Sequence, residues 1–308
     1  MIVVAGESLI DLIVDQEGRV EAVPGGGPYN VARALGRLGR PVAFLGRLST
    51  DRFGSILRAG LAADGVDLEL APATDASTLL AVAELDPAGG ATYRFYVEGT
   101  AAPGLSATDL PNGIPASATA LHVGTLGLVF EPMATTIEAL VAATPPDLLV
   151  MIDPNCRATA ISDPAAYRAR LDRILGRVDV VKVSVDDLAF LDPAAEPLDA
   201  ARRILDRGPT AVLITAGGRP VQLVTPSRVT ELSVPEVRVV DTVGAGDAFG
   251  AGFLAAWTGA GRGRDALSDV SALAAATRFA IEVGTRTTTR AGADSPTLAE
   301  LDGVAALW

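Results

Sequence analysis

Cysteine is almost missing from this chain. Among 308 residues there is one, Cys156, which excludes an intramolecular disulfide and any metal site built on a cysteine cluster. Histidine is as scarce: His122 is alone, in the apolar pattern Leu121-His122-Val123, and reads as a hydrogen-bonded core residue rather than a ligand. Long apolar runs are also lacking. Hydrophobic residues make up 49% of the chain, yet no stretch free of charges and turn residues approaches the roughly 18 needed to span a membrane. Residues 1–6 carry no basic region of a signal peptide and read as a strand, which points to a cytoplasmic protein. No GxxxxGK[ST] loop occurs, and the glycine-rich turn near residue 244 has Phe249 where a dinucleotide fingerprint needs its third glycine. Positive charge is short as well. With 25 basic against 37 acidic residues and a net charge of −12, nucleic acid and anionic membranes are poor partners. A bound polyanion would have to be held by local amides, a few arginines and a metal ion.

The chain does have length and rhythm. A protein of this size buries about three quarters of its unfolded surface, so a large core is available. From residue 118 strands are expected at 120–123, 148–152, 178–183 and 210–215, and helices at 132–143, 164–176, 186–191 and 198–207. That alternation predicts an α/β fold with a doubly wound, mostly parallel sheet flanked by helices, and ligands outside the carboxyl ends of its strands. Upstream come a strand at 2–5, a helix from Asn30 to about 38, a strand over 41–48 and a helix from Asp51 to about 63. Two β-prone runs, 77–85 and 91–97, are joined by the turn signal Asp86-Pro87-Ala88-Gly89-Gly90. They break the rhythm and, with strands at 9–14 and 20–23, predict a small separate sheet. Residues 221–224 and 229–233 read as an edge hairpin and 234–240 as an extended valine-rich run. An alanine-rich helix follows, ending near Trp257, and a second helix is expected at 265–282.

One stretch concentrates chemistry: Asp241-Thr242-Val243-Gly244-Ala245-Gly246-Asp247-Ala248-Phe249-Gly250-Ala251-Gly252-Phe253. Gly244 and Gly246 have no Cβ, so neighbouring amides can turn toward one point. Those amides open a helix, where unpaired donors and the macrodipole favour an anion. Asp247 falls in the first turn beside that anion, and the dipole is expected to keep it ionised and weakly basic. Glycine and aspartate at a helix start are also ordinary capping chemistry, so spacing alone supports a phosphoryl-transfer site and a capped helix equally. Asp11 lies in an apolar stretch where an unpaired carboxylate is costly; it needs a partner or caps a strand end. Cys156 is either a buried bystander or an activated thiol beside Arg157.

The stretch over 241–253 resembles the C-terminal signature of the ribokinase-like (PfkB-type) carbohydrate kinases. Gly25-Gly26-Gly27-Pro28-Tyr29-Asn30-Val31-Ala32-Arg33-Ala34-Leu35 is similar to that family's N-terminal motif. The two lie more than two hundred residues apart in the family's order. The resemblance implies one ribokinase-like domain over 1–308 with a discontinuous β lid formed by about 9–23 and 77–97. It further implies ATP-dependent phosphorylation of a sugar's primary hydroxyl, with Asp247 as base and Gly244, Ala245 and Gly246 as the anion hole.

Carried onto this sequence, the family pattern puts Asp11, Gly26, Gly27, Asn30 and Arg157 on the sugar. In the lid Tyr93, Phe95 and Tyr96 alternate with Arg94, so one face, Tyr96 included, is expected to meet the sugar or a partner subunit, with stacking in the lid's own small core equally open. Asp153-Pro154-Asn155-Cys156-Arg157 resembles an element of fructokinases and 2-keto-3-deoxygluconate kinases, whose arginine reaches substrate or phosphate; a surface salt bridge is the lesser alternative for Arg157. Ser184 and Asp187 replace the asparagine and glutamate of an NxxE element. The implied role of Asp187 is indirect Mg²⁺ binding, and helix capping is its alternative. Thr215 and Gly217 belong to a nucleotide loop whose last glycine is here Pro220, which removes a donor. Asp241 is a candidate for a monovalent cation, K⁺. The cofactors implied are ATP, Mg²⁺ and K⁺; the partners are the sugar, ATP and a second copy docked through the lid edge. Fructose is the first expected substrate. 2-Keto-3-deoxygluconate, a nucleoside, or a non-catalytic sensor on the same fold are the alternatives.

Overall fold

The central strands are continuous apolar runs rather than alternating ones, as expected for a parallel sheet covered on both faces. Ile2-Val3-Val4-Ala5 and Leu149-Val150-Met151-Ile152 are buried at every residue. The computed structural model describes residues 1–85, 91–110 and 113–301. Its elements begin with β1 (Ile2–Ala5), β2 (Leu9–Val14), β3 (Val20–Gly25), α1 (Gly27–Arg37), β4 (Val42–Leu45), β5 (Leu48–Ser49), α2 (Arg52–Ala63), β6 (Ala73–Thr74), β7 (Leu80–Leu85) and β8 (Ala91–Tyr96). They continue with β9 (Ala120–Gly124), α3 (Met133–Ala142), β10 (Leu149–Asp153), α4 (Pro164–Leu175), β11 (Val180–Ser184), α5 (Val185–Leu191) and α6 (Pro197–Leu205). Then follow β12 (Ala211–Thr215), β13 (Val221–Val224), β14 (Val229–Leu232), α7 (Ala245–Gly259) and α8 (Val270–Thr287).

Eight strands form the main sheet in the order β14-β13-β12-β11-β10-β9-β1-β4. It is parallel from β12 to β4, and the β13–β14 hairpin is added antiparallel at one edge. Side chains of α1, α2, α7 and α8 join the core on one face, and those of α3, α4, α5 and α6 join the core on the other. The doubly wound α/β expectation is met. The chain leaves β1 for β4 on one side, whereas every sheet strand from β9 onward lies on the other. The switch point therefore falls between β1 and β9, where such sheets bind ligands.

A second sheet, β3-β2-β7-β8, grows directly out of the end of β1. It is the small sheet expected from 9–23 and 77–97; the turn expected at 86–90 lies outside the described residues. Three boundaries differ from the sequence reading. The strand expected over 41–48 is split, because β5 leaves the main sheet to pair with β6. The last long helix begins at Val270, since Asp269 caps it by accepting from the amides of Ser271 and Ala272, and it runs on to Thr287. Residues 234–240 join no strand, and Val237, Val239 and Val240 are exposed. Among the described residues, no helix is long and apolar enough to cross a membrane.

Candidate active site

Helix α7 is apolar around nearly its whole circumference and buried from Asp247 to Trp257, as expected for a core helix. Only its first turn meets a cavity. Its N-cap, Gly244, has φ 73° and no side-chain cap. A Cβ there would adopt the strained left-handed region and collide with Ala293. Ala248 N–H donates to Gly244 O at 2.8 Å and begins the ladder. The amides of Gly246 and Asp247, just ahead of it, have no hydrogen-bond partner among the described residues, leaving a donor pair at the positive end of the helix.

Asp247 is the third helical residue. It receives no reciprocal bond from the N-cap; instead Asn30 Nδ2, on α1, donates to its Oδ2 at 2.8 Å. Gly27 makes this meeting possible, because a Cβ there would run into the Thr125 hydroxyl and lie 3.4 Å from Asp247 Oδ1. Burial raises the pKa of Asp247, opposed by the Asn30 hydrogen bond and the charges of Lys182 and Arg157. The direction is the reverse of the weakly basic carboxylate expected from the sequence: burial makes it more basic.

The cavity in front of Asp247 has a volume of about 340 Å³, within the span of small-molecule sites, about 300–1,000 Å³. Gly26, Gly27 and Asn30 line it from α1, Asp11 from β2, Arg157 from the loop after β10, and Gly244 and Gly246 from α7. Arg157 has no ion-pair partner among the described residues, so it is not a surface salt bridge. Burial lifts the Asp11 carboxyl to about 6, and the charge of Arg157 opposes that rise. Tyr93 and Phe95 of β8 face this cavity. Tyr96 does not line it; it is 54% exposed and borders a separate depression beside Ser77 and Glu98. The period-two alternation of a strand explains the exchange.

Glu7, Thr125 and Asn155 line the cavity and carry no role in the sequence reading. Glu7, two residues past β1, is fully buried and accepts from the amides of Gly27 (3.2 Å) and Gly127 (2.9 Å). Burial, helped by the nearby Asp247 charge, lifts it to about 7 against the backbone hydrogen bonds. An acid beside the apolar end of the first strand was the available signal. Thr125 (φ 50°) and Asn155 (φ 40°) are left-handed non-glycine residues joined by Asn155 Nδ2 donating to Thr125 Oγ1 at 3.3 Å. Backbone strain of that kind clusters at functional sites and leaves no mark in sequence.

The remaining candidates lie outside the cavity lining. Ser184 and Asp187 form a reciprocal capping box on α5. Asp187 Oδ2 accepts from the amide and hydroxyl of Ser184, and Oδ1 from the Cys156 amide at 2.6 Å. Thr215 is the register partner of Ser184 at the neighbouring strand end, and Gly217 occupies a turn at φ 61° that Arg219 closes by donating to Ala216 O. Asp241 accepts from the amides of Val243 (3.0 Å) and Gly292 (2.8 Å), tying the loop before α7 to the loop after α8. Cys156 is not an activated thiol, since burial first, and then the Asp187 charge, push it up to about 12. His122 lies in the core as expected, yet neither ring nitrogen has a partner among the described residues, and burial holds it neutral, at about 3. No group of three or more His, Cys, Asp or Glu among the described residues could hold a metal ion.

Residues 1–290 match the model of the pfkB family carbohydrate kinases. A fructokinase of Klebsiella pneumoniae is 38% identical over 257 residues, 82% of each chain. The structure of a Xylella fastidiosa fructokinase with bound ATP superposes with a TM-score of 0.88 at 28% identity, over 99% of this chain and 97% of that one. A Vibrio cholerae fructokinase bound to fructose, ADP and calcium superposes with a TM-score of 0.85 at 28% identity, over 99% and 97% of the two chains. A double mutant of that enzyme holds fructose, ADP and potassium. The fold is ribokinase-like, and the chain belongs to the pfkB family of carbohydrate kinases.

Proposed function

We propose that this chain transfers the γ-phosphoryl group of ATP to a primary hydroxyl of a sugar, with fructose the preferred acceptor. The observation that carries the reading is the pairing, on one cavity wall, of two unpartnered amides with the Asp247 carboxylate in the same helical turn. The sugar sits among Asp11, Gly26, Gly27, Asn30 and Arg157, its reacting hydroxyl against Asp247. The γ-phosphate lies over the amides of Gly246 and Asp247. As the acceptor oxygen bonds to phosphorus, the bond from phosphorus to the β–γ bridging oxygen breaks and ADP leaves. The hydroxyl proton passes to Asp247, late, because the transition state is loose. The amides stabilise charge on the transferring group.

Ser184, Thr215 and Gly217 are proposed to carry the rest of the nucleotide, along the strand ends next to α7. Mg²⁺, when bound with ATP, neutralises charge across the β- and γ-phosphates. Asp187 does not fit a direct metal ligand, because both its oxygens are engaged by three donors of the chain; its proposed part is confined to a metal-bound water. Both oxygens of Asp241 are likewise engaged, so a K⁺ ion would depend on the carbonyls of the loops it joins.

Charge favours a neutral acceptor. The cavity wall carries the carboxylates Glu7, Asp11 and Asp247 and the single cation Arg157. Arg94, the lid cation suited to a sugar acid, does not line it. An ADP-release assay with Mg²⁺–ATP against fructose, 2-keto-3-deoxygluconate, ribose and adenosine tests the choice. Turnover with fructose is expected; turnover with the sugar acid or adenosine alone would refute it. The outer lid also presents Tyr96 and Val20, 54% and 59% exposed, at the two edge strands β8 and β3. A homodimer through the lid covers them, and light scattering should return twice the chain mass.

A further inference from the structure

Of the 25 basic residues in the chain, only Lys182 is a lysine. It is also buried: its side chain is 5% exposed, in β11, two residues before the capping box of α5. Its Nζ donates to Asp153 Oδ2 at 2.9 Å, the one side-chain acceptor it has among the described residues. The same ammonium stands 2.8 Å from the point where a Cβ on Gly246 would be. Gly246 has no positive φ, and the ammonium occupies the space beside its Cα where a side chain would start. Lys182 itself does not line the cavity; Gly246 does. A formal positive charge thus lies one residue's thickness behind the donor pair of α7.

We infer that Lys182 is a positioning residue of the transfer reaction, a fixed charge held by Asp153 behind Gly246 that stabilises negative charge gathering in the amide cradle. The inference rests on the kinase reading. Burial alone would neutralise the amine, but Asp153, and after it Asp187 and Asp247, outweigh burial and keep it charged. Among the described residues Asp153 Oδ2 is its only acceptor, so two of its three protons have no partner there. An ammonium is a compact point charge, whereas a guanidinium is a wider planar fork. Every other basic residue of this chain is arginine.

A buried ion pair can also be purely structural, and removing one partner then leaves an uncompensated charge. The test separates the two roles by comparing Lys182→Met with the double variant Lys182→Met/Asp153→Asn, which removes both charges. The readouts are kcat with Mg²⁺–ATP and fructose, affinity for ADP, and affinity for ADP with aluminium fluoride in the presence of fructose, which mimics the transferring phosphoryl group. If the lysine acts on the cradle, both variants lose kcat by about thirtyfold or more, somewhat less than loss of a direct oxyanion donor. Both also lose fluoride-complex affinity by a similar factor and keep ADP affinity within about threefold. If the pair is structural, the double variant recovers kcat and fluoride-complex affinity to within about threefold of wild type, and the inference is overturned while the kinase reading stands. Should the double variant not fold, Lys182→Met alone decides: equal losses for ADP and for the fluoride complex overturn the inference, and a selective loss supports it. A wild-type protein that turns over none of the four acceptors removes the kinase reading, and the inference with it.

Discussion

Two helices of this protein place a buried aspartate at their third residue, and the two aspartates meet opposite surroundings. Asp187 at the start of α5 and Asp247 at the start of α7 are both nearly buried, 5% and 8% exposed. Ser184 caps α5 with a hydroxyl and an amide that both engage Asp187, and the Cys156 amide takes the other oxygen. Gly244 caps α7 with nothing, in a left-handed conformation, so Asp247 is steadied from another helix by Asn30 and keeps an oxygen toward the cavity. The residue three positions earlier decides the outcome. A serine there closes the helix end into structure; a glycine leaves amides and carboxylate available for chemistry.

The contrast can be pushed hardest at Asp247. Asp247→Asn preserves shape and the Asn30 neighbourhood, and kcat should fall by about 10³-fold, within the range for loss of a positioned base, with Tm nearly unchanged. Asn30→Ala comes next. It removes a hydrogen bond to a charged group, of the kind worth about 1.5–3 kcal/mol, so kcat should drop by ~10–100-fold and the acid limb of the rate profile should move up. Asp187→Ala should act on the other side of the comparison, lowering stability by about 1–2 kcal/mol, seen as a Tm lower by a few degrees, with kcat reduced less than tenfold. A hundredfold loss of kcat at unchanged Tm would instead move Asp187 into the metal site. The smallest effect is in pH. Carboxylates of this site work ionised, and burial raises Asp247, Asp11 to about 6 and Glu7 to about 7. Activity should therefore be lost as pH falls through about 6–7 rather than near the ordinary carboxylate range of about 4. Glu7→Gln should shift that limb downward, because it removes the carboxyl that burial and the Asp247 charge lift to about 7.

Much of this was legible because it is written in local pattern. Apolar runs and their spacing announce the parallel sheet, and the helix-opening glycines with Asp247 announce the cradle. The break in rhythm at 77–97 announces the second sheet. What stayed hidden depends on contacts across the fold. That Asn30 holds Asp247 needs residues 217 apart in sequence to meet. That Tyr93 and Phe95, rather than Tyr96, face the cavity depends on the phase of one strand, which aromatic content does not fix. The left-handed Thr125 and Asn155 are shaped by packing, not by their own preference. The raised pKa of Asp247 follows from burial in the folded chain, which the sequence does not display.

The central claim is that the open end of α7 performs phosphoryl transfer with Asp247 accepting the proton. Its most direct test is calorimetric binding of fructose and ADP to Asp247→Asn alongside initial rates with Mg²⁺–ATP and fructose. The account predicts both ligands bound within a few-fold of wild type and turnover almost abolished. Turnover above a tenth of wild type would contradict it and return Asp247 to the role Asp187 already has, a residue that holds a helix end.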